Sequence, residues 1–295
     1  MKNLSIITVN YNGFDITCEM IDSLYLVGFQ GEIVVVDNGS RVNEAKLISE
    51  KYPNVVAFSS DKNLGFAGGN NLGIARAKGD YLLFINNDTT FSDKFWIPLV
   101  ERLDSDPGIG MVCPKILFEY APDTIQFAGY TTLHPVTLRN NMIGFNEKDN
   151  GQHQTAISIP YAMGAAMLTR KSVVEKSGLM PECYFLYYEE LDWSERIKEA
   201  GFSIWYEPRS HIFHKESAAT GRMSPLKQYY LTRNRLFFVR RNLKGFSAFI
   251  AICYQILISL AKNSFVCLIK GRFALLFATL KGVFHGMKMV LTYGD

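Results

Sequence analysis

The sequence predicts an α/β fold: a Rossmann-like, mostly parallel sheet covered by helices, with a C-terminal helical extension. Three observations carry that expectation. Short, β-branched apolar runs alternate with helical periodicities through the first hundred residues, the signature of strand–helix–strand units. Polar clusters sit where those apolar runs stop, at the carboxyl ends of the strands, where such sheets bind ligands. Composition then changes near residue 225, from an acidic body to a basic, apolar tail.

The elements follow in order. Leu4–Val9 is an apolar run ended by Asn10-Tyr11-Asn12-Gly13, and a helical stretch continues to about Leu26. Glu32–Val36 is continuous and β-branched, as expected of a strand buried on both faces, and stops at Asp37-Asn38-Gly39-Ser40, a helix-start signal. Val55–Phe58 is a third strand, Asn70–Lys78 a short helix closed by Gly79, and Tyr81–Ile85 a fourth strand. Ser92 starts a helix to about Leu103, and Gly110–Leu117 is another strand. Residues 119–158 are polar and irregular, a loop-rich insertion beside the site. Tyr161–Thr169 contains Gly164, where backbone can approach a ligand closely. Glu189–Ala200 is a helix stopped by Gly201, and Phe202–Glu207 alternates like a strand ending at Pro208.

Between Lys227 and Asp295 there are eleven Lys/Arg and one acid, which leaves a net charge of −7 on the rest. We therefore divide the chain at 1–224 and 225–295. The basic residues of the tail interleave with long apolar runs, which suits an anionic membrane better than nucleic acid. Phe246–Ala261 is a sixteen-residue apolar run, too short at ~1.5 Å per residue to span ~30 Å of hydrocarbon comfortably. Lys270, Lys281 and Lys288 fall within about 20° of one another on a helical projection. The expected arrangement is helices lying in the interface; a helical pair packed on the body, or on a second subunit in a homodimer, is the alternative. The five scattered cysteines form no disulfide frame or zinc pattern. Met1-Lys2-Asn3 runs straight into a strand without a signal-peptide core, so a cytoplasmic, peripheral location is expected.

Five constellations could carry chemistry. Asn86-Asn87-Asp88-Thr89 follows a strand, and a carboxylate there can hold Mg²⁺ or Mn²⁺ against a diphosphate; the same residues also make a helix-capping turn. Asp37 could accept from a base or ribose, or simply close an Asx turn. Asn63–Asn71 places three glycines before a helix but matches neither the dinucleotide fingerprint nor a Walker A loop. Glu189, Glu190 and Asp192 open a helix beside Trp193, offering a general base next to an aromatic wall, although acids also favour a first helical turn for its dipole. Glu189, Asp192 and Arg196 share one face of that helix and Glu190 another. His211 and His214 lie beyond the last strand, either structural or completing a metal shell with Asp88.

Taken in order, Ser5–Asn12, Ile33–Ser40, Asn63–Gly73, Gly79–Thr89 and Tyr188–Trp193 resemble the family 2 inverting glycosyltransferases of GT-A fold, in particular the bacterial branch that includes rhamnosyltransferases. The resemblance covers about residues 4–240. It implies that Thr8, Asn10, Tyr11, Asp37, Asn63 and Asn86 contact the nucleotide, and that Asp88 is the last acid of the metal motif, whose first acid is Asn86 here. It implies that His214, followed by Lys215–Thr220, coordinates the metal, and that Glu190 is the base, with Asp192 a rival. Gly164, Glu189 and Trp193 are placed at the acceptor. The Tyr229–Asn234 stretch matches a Tyr…Arg-Asn segment of unassigned role. The implied reaction moves a sugar from a nucleotide-sugar donor, dTDP-rhamnose or a UDP-sugar, to a hydroxyl of a saccharide or lipid-linked saccharide in surface polysaccharide synthesis. A sugar nucleotidyltransferase would need a basic triphosphate loop, and Thr8–Gly13 has no base; a silent nucleotide-sugar-binding protein would differ only in assay.

Overall fold

The computed structural model describes residues 3–215 and 224–292; residues 216–220 of the segment after His214 lie outside them. The chain forms two compact units. One comprises Met1–Thr131, Asn141–Phe185 and Glu189–Glu216, the other Thr132–Asn140, Leu186–Tyr188 and Ser217–Asp295.

The first unit is built on one sheet. Its elements are β1 (Leu4–Asn10), α1 (Phe14–Leu26), β2 (Glu32–Asp37), α2 (Glu44–Lys51), β3 (Val56–Ser59), α3 (Gly65–Arg76), β4 (Tyr81–Ile85), β5 (Thr89–Thr90), α4 (Trp96–Ser105), β6 (Ile109–Phe118), β7 (Ala121–Phe127), β8 (Ile157–Ser158), β9 (Ala166–Arg170), α5 (Lys171–Ser177), α6 (Glu189–Glu199) and β10 (Ser203–His214). Strand order is β3-β2-β1-β4-β9-β6-β10-β5, with β7 on β6 and β8 on β10. The β3-β2-β1-β4 half is parallel, as the sequence predicts. Beyond β4 the sheet is mixed: β9 runs antiparallel to both β4 and β6, while β10 is parallel to β6. Ile6, Ile7, Ile33–Val36 and Leu82–Phe84 are almost completely buried, which accounts for their unbroken apolar runs.

Two sequence expectations need correction. The helix expected from Asn70 begins at Gly65, so Gly68, Gly69 and Gly73 lie inside it. Their role is contact with the sheet: a Cβ on Gly69 would stand 2.8 Å from Val9 Cγ1, and one on Gly73 2.3 Å from Ile7 Cγ2. The strand expected to end at Pro208 continues to His214 through an irregularity between Glu207 and His211, where a residue without an N–H breaks no regular ladder. Buried Glu207 fills that bulge, accepting from Arg209 N at 3.1 Å and from Arg102 Nε at 2.9 Å. The longer strand delivers His214 to the site. The 119–158 insertion also contains β7, hydrogen-bonded to β6.

The second unit is helical: α7 (Pro225–Asn242), α8 (Gly245–Cys253), a π-helical segment Tyr254–Ser259, α9 (Leu260–Ile269) and α10 (Phe273–Thr292). Gly245–Ile269 forms one rod of 25 residues, and both it and α10 are long and apolar enough to cross a membrane by length and composition alone. The sixteen-residue apolar run therefore underestimates the helix that contains it. Lys270 caps α9, and Gly271 turns the chain at φ +61°, so Lys270 does not share a helix with Lys281 and Lys288. Helix α10 lies close along α7: a Cβ on Gly282 or Gly286 would come within 2.8 Å of Tyr229 O or Arg233 O.

Candidate active site

The carboxyl ends of β1, β2 and β4 meet in register, Asn10 opposite Asp37. Beneath them is a buried polar network. Asn10 Nδ2 donates to Glu44 Oε2 at 2.7 Å and Thr17 Oγ1 donates to Asn10 Oδ1 at 2.8 Å; Asn87 Nδ2 donates to Thr17 Oγ1 at 2.9 Å, tying the β4 end to the β1 end. The Asp37 carboxylate meets five donors between 3.0 and 3.4 Å: Asn10 Nδ2, Ser40 N, Glu44 N, Ala45 N and Ser59 Oγ. It closes the turn and holds the start of α2, where a negative charge is favoured. Thr8 is fully buried and its hydroxyl finds no partner. Of the six nucleotide candidates, Thr8, Asn10 and Asp37 are buried, Asn10 and Asp37 with their side chains engaged in this network. Tyr11, half exposed, and the partly exposed Asn63 and Asn86 stand at the surface. Asn38 fixes the Asn63 loop, donating to Asn63 Oδ1 and Gly65 O and accepting from Leu64 N.

Asp88 and His214, 126 positions apart, are brought together: Asp88 Oδ1 lies 3.1 Å from His214 Nε2, and Asn86 Nδ2 lies 3.4 Å from the same nitrogen. The pairing of β5 with the last residues of β10 places them. Sequence reasoning missed Gln126. Its buried amide oxygen sits 2.8 Å from His214 Nδ1; in the tautomer that carries its proton on Nδ1 this oxygen accepts it, and Nε2 then presents a lone pair to the carboxylate. A solitary Gln at the end of β7 carries no signal in one sequence. In that tautomer two lone pairs face each other across 3.1 Å, an arrangement that a cation between them would satisfy. Two neighbouring ligands each ~2.1 Å from an octahedral ion stand about 3 Å apart, so the pair fits a divalent metal. No cluster of three or more His, Cys, Asp or Glu suited to a metal occurs among the described residues, so phosphates and water would supply the remaining ligands. His211 is elsewhere, 3.5 Å from Asp93.

The acids of α6 separate by environment. Asp192 is 1% exposed, accepts from Tyr184 OH at 2.8 Å, and lies 3.6 Å from Arg196 Nε. Glu189 is buried. Glu190 is partly exposed, and its charge, after burial itself, helps push the Tyr130 hydroxyl pKa well up. Tyr130 also reaches Met163 Sδ at 3.1 Å, next to partly exposed Gly164. Ala165 O in turn accepts from Asn86 N at 3.0 Å, so the Gly164 turn adjoins the β4 end. Trp193 corrects an expectation: it is 0% exposed, edge-on to Phe84, with Nε1 donating to Gly178 O. Being on the sheet side of α6, it is a core residue with no face for a sugar.

The Glycosyl transferase family 2 profile matches residues 5–178, more than half of the chain. The chain belongs to this family. The hexosyltransferase Agl10 of low-salt glycan biosynthesis in Haloferax volcanii is 27% identical over 241 residues, covering 80% of this chain and 75% of that one. The N-acetylglucosaminyl-diphospho-decaprenol L-rhamnosyltransferase of Mycobacterium tuberculosis is 23% identical over 210 residues, 64% of this chain and 68% of that one. Among solved structures, the mannosyltransferase PcManGT from Pyrobaculum calidifontis, in complex with GDP-Man and Mn²⁺, aligns with TM-score 0.58 at 15% identity, over 100% of this chain and 89% of that one. GalNAc-T7 with UDP, GalNAc and Mn²⁺ aligns with TM-score 0.62 at 16% identity over 82% of this chain; the match spans 50% of the GalNAc-T7 chain. The protein is a glycosyltransferase of GT-A fold, which removes the nucleotidyltransferase alternative.

Proposed function

We propose that the protein transfers a sugar from a nucleotide-sugar donor to an acceptor hydroxyl in one displacement with inversion, using a divalent metal, Mg²⁺ or Mn²⁺. The observation that carries this reading is the Asp88–His214 pair with Nδ1 committed to Gln126. Asp88 Oδ1 and His214 Nε2 would hold the ion, which when bound offsets the charge on the departing nucleoside diphosphate. Tyr11, Asn63 and Asn86 stand where the nucleotide would lie. Glu190 takes the acceptor proton, while Asp192 is held by Tyr184 and Arg196. Hexosyl and L-rhamnosyl transfer by the relatives supports a hexose or rhamnose donor and a lipid-linked saccharide acceptor in surface polysaccharide synthesis; the donor would be a UDP-sugar or dTDP-rhamnose.

The helical unit supports a site on the inner face of the cell membrane. Helix α10 buries Leu275, Ala278, Thr279, Gly282 and Gly286, yet also exposes Phe273, Phe277, Leu280, Phe284 and Leu291. The exposed set recurs at steps of four, three, four and seven residues, a second apolar stripe left open to solvent among the described residues. Helix α7, along which α10 packs, carries Lys227, Arg233, Arg235, Arg240 and Arg241 and is too polar to span. An α10 fixed to α7 therefore lies in the interface with its outer stripe in lipid.

The test is a panel of nucleotide sugars offered with native lipid extract, read by product mass. Nucleoside diphosphate release and a glycosylated lipid are expected, both requiring added Mn²⁺ or Mg²⁺ and both lost in Asp88→Ala. Metal-dependent turnover at full rate by Asp88→Ala would refute the metal assignment, and binding of donors without turnover of any would mark a silent binding protein.

A further inference from the structure

The segment just before the acidic helix is held in an unusual backbone. Phe185, Tyr187 and Tyr188 have φ of 67°, 68° and 80°, a left-handed conformation that non-glycine residues rarely adopt, and Glu189 follows directly. Such a run persists only when its surroundings over-determine it. Phe185 is held by α3. Phe66 N donates to Phe185 O at 2.8 Å, and Gly65, itself at φ +74°, lies so close that a Cβ would stand 2.1 Å from that oxygen. The next two carbonyls are held by one side chain: Asn234 Nδ2 donates to Leu186 O at 2.8 Å and to Tyr187 O at 2.7 Å. Asn234 is fully buried, and its Oδ1 accepts from Arg233 Nε at 2.7 Å. Arg235 Nε donates to Tyr188 OH at 2.9 Å, and the Tyr188 ring packs on Phe238.

We infer that Asn234, with Arg235 in support, is a positioning residue for the base: it fixes the strained Leu186–Tyr188 backbone and thereby the start of the helix that carries Glu190. This gives the Tyr…Arg-Asn segment a role. The two hydrogens of one amide nitrogen serve two successive carbonyls, which neither Asp nor Leu can do. Part-buried carbonyls deprived of those donors would turn toward other partners. The left-handed residues would then relax toward ordinary φ, rotating the first turn of α6.

The inference rests on Glu190 being the base, so Glu190→Gln is measured beside it. The full-length chain is assayed with the nucleotide sugar, dTDP-rhamnose or UDP-hexose, and the lipid extract that give product in the panel. Asn234→Asp keeps size and the contact with Arg233 but loses both donors. It should melt cooperatively, keep the donor KM within about twofold, and lose about ten- to a hundredfold in kcat, the scale of a small misplacement at a reacting centre. Amides 187–191 should exchange faster. Adding Tyr187→Gly, which accepts φ > 0 without strain, should restore part of kcat. Asn234→Ser, which keeps one donor, takes the place of Asn234→Asp if the latter does not fold and should lose less. Normal kcat in these variants, or a loss matching the unfolded fraction with no rescue by Tyr187→Gly, overturns the inference. If Glu190→Gln is inactive while Asn234→Asp is normal, only the positioning role fails; if Glu190→Gln is active, the reading of the base fails with it.

Discussion

Three carboxylates within four residues look alike in the sequence, and their surroundings tell them apart. Asp192 is buried, accepts from Tyr184 and has the Arg196 guanidinium alongside. Glu190 keeps solvent contact, and its charge helps to raise the Tyr130 hydroxyl pKa after burial itself. A positioned carboxylate contributes ~10²–10⁴-fold by taking a proton from a poorly nucleophilic hydroxyl. Glu190→Gln should therefore lose most of kcat while calorimetry shows donor affinity unchanged. Asp192→Asn keeps an acceptor for Tyr184 but loses its charge beside Arg196, and should cost about 1–3 kcal/mol of stability with a smaller effect on single-turnover transfer. A folded but inactive Asp192→Asn, with near-normal Glu190→Gln, would move the base to Asp192. At this scale the sequence was a partial guide. It paired Asp88 with His214 through the order of the family's motifs, and set Asp192 against Arg196 through helical spacing. It could not show that Asp37, Asn10 and Thr8 are turned inward, that Trp193 is core, or that Gln126 orients His214, since burial and second partners depend on residues distant in the chain.

Strand β10, which carries His214, and its neighbour β6 each have charge buried beside them. Lys115, on β6, is nearly inaccessible and donates to Asp149 Oδ2 at 2.8 Å, fastening the 141–158 stretch to the sheet. Burial alone would raise the Asp149 pKa, but the Lys115 hydrogen bond, the Gly151 N–H and the Lys115 charge outweigh it and bring it below the usual value. Glu207 is held low in the same way by Arg209 and Arg102. A depressed native pKa means stability that is present above the unfolded value, about 3.9 for Asp and 4.3 for Glu, and lost as pH falls through the native one. Urea midpoints measured from pH 6 down to 2.5 should thus fall steeply below about pH 4. Replacing both Lys115 and Asp149 by Met and Leu should flatten part of that slope with little cost at pH 7. Asp149→Ala alone strands a buried ammonium and should cost about 3 kcal/mol or more at pH 7. An unchanged acid slope in the double variant would show that the pair is not linked to folding. The element scale also shows where periodicity misleads. Glycine within α3 and proline within β10 read as boundaries, yet one serves close helix–sheet contact and the other sits at a bulge.

For the whole molecule, the decisive question is what the basic, apolar tail faces. Length alone favours crossing: the rod Gly245–Ile269 and α10 each exceed what a hydrocarbon layer needs. The packing argues otherwise. Gly282 and Gly286 let α10 approach the α7 backbone, and Gln228 Nε2 to Thr279 Oγ1 at 3.0 Å and Tyr229 OH to His285 Nδ1 at 2.7 Å lock the pair. Sending α10 across a bilayer would either drag five cationic side chains of α7 with it or break these contacts. An in-plane hairpin would keep them and would seat Phe246, Phe249, Phe265, Phe277 and Phe284, all 62% exposed or more, in the acyl boundary, with the bases against anionic headgroups. The expected behaviour is binding to vesicles containing phosphatidylglycerol, weakened by salt and by alkaline carbonate, and absent for neutral vesicles at moderate ionic strength. Phe277→Glu with Phe284→Glu, both on the outer stripe and away from α7, should abolish vesicle binding while leaving the melting temperature and donor hydrolysis intact. Retention through a carbonate wash would mean that the helices span, and equal binding by the double variant would mean that the stripe faces a second copy of the chain or nothing at all.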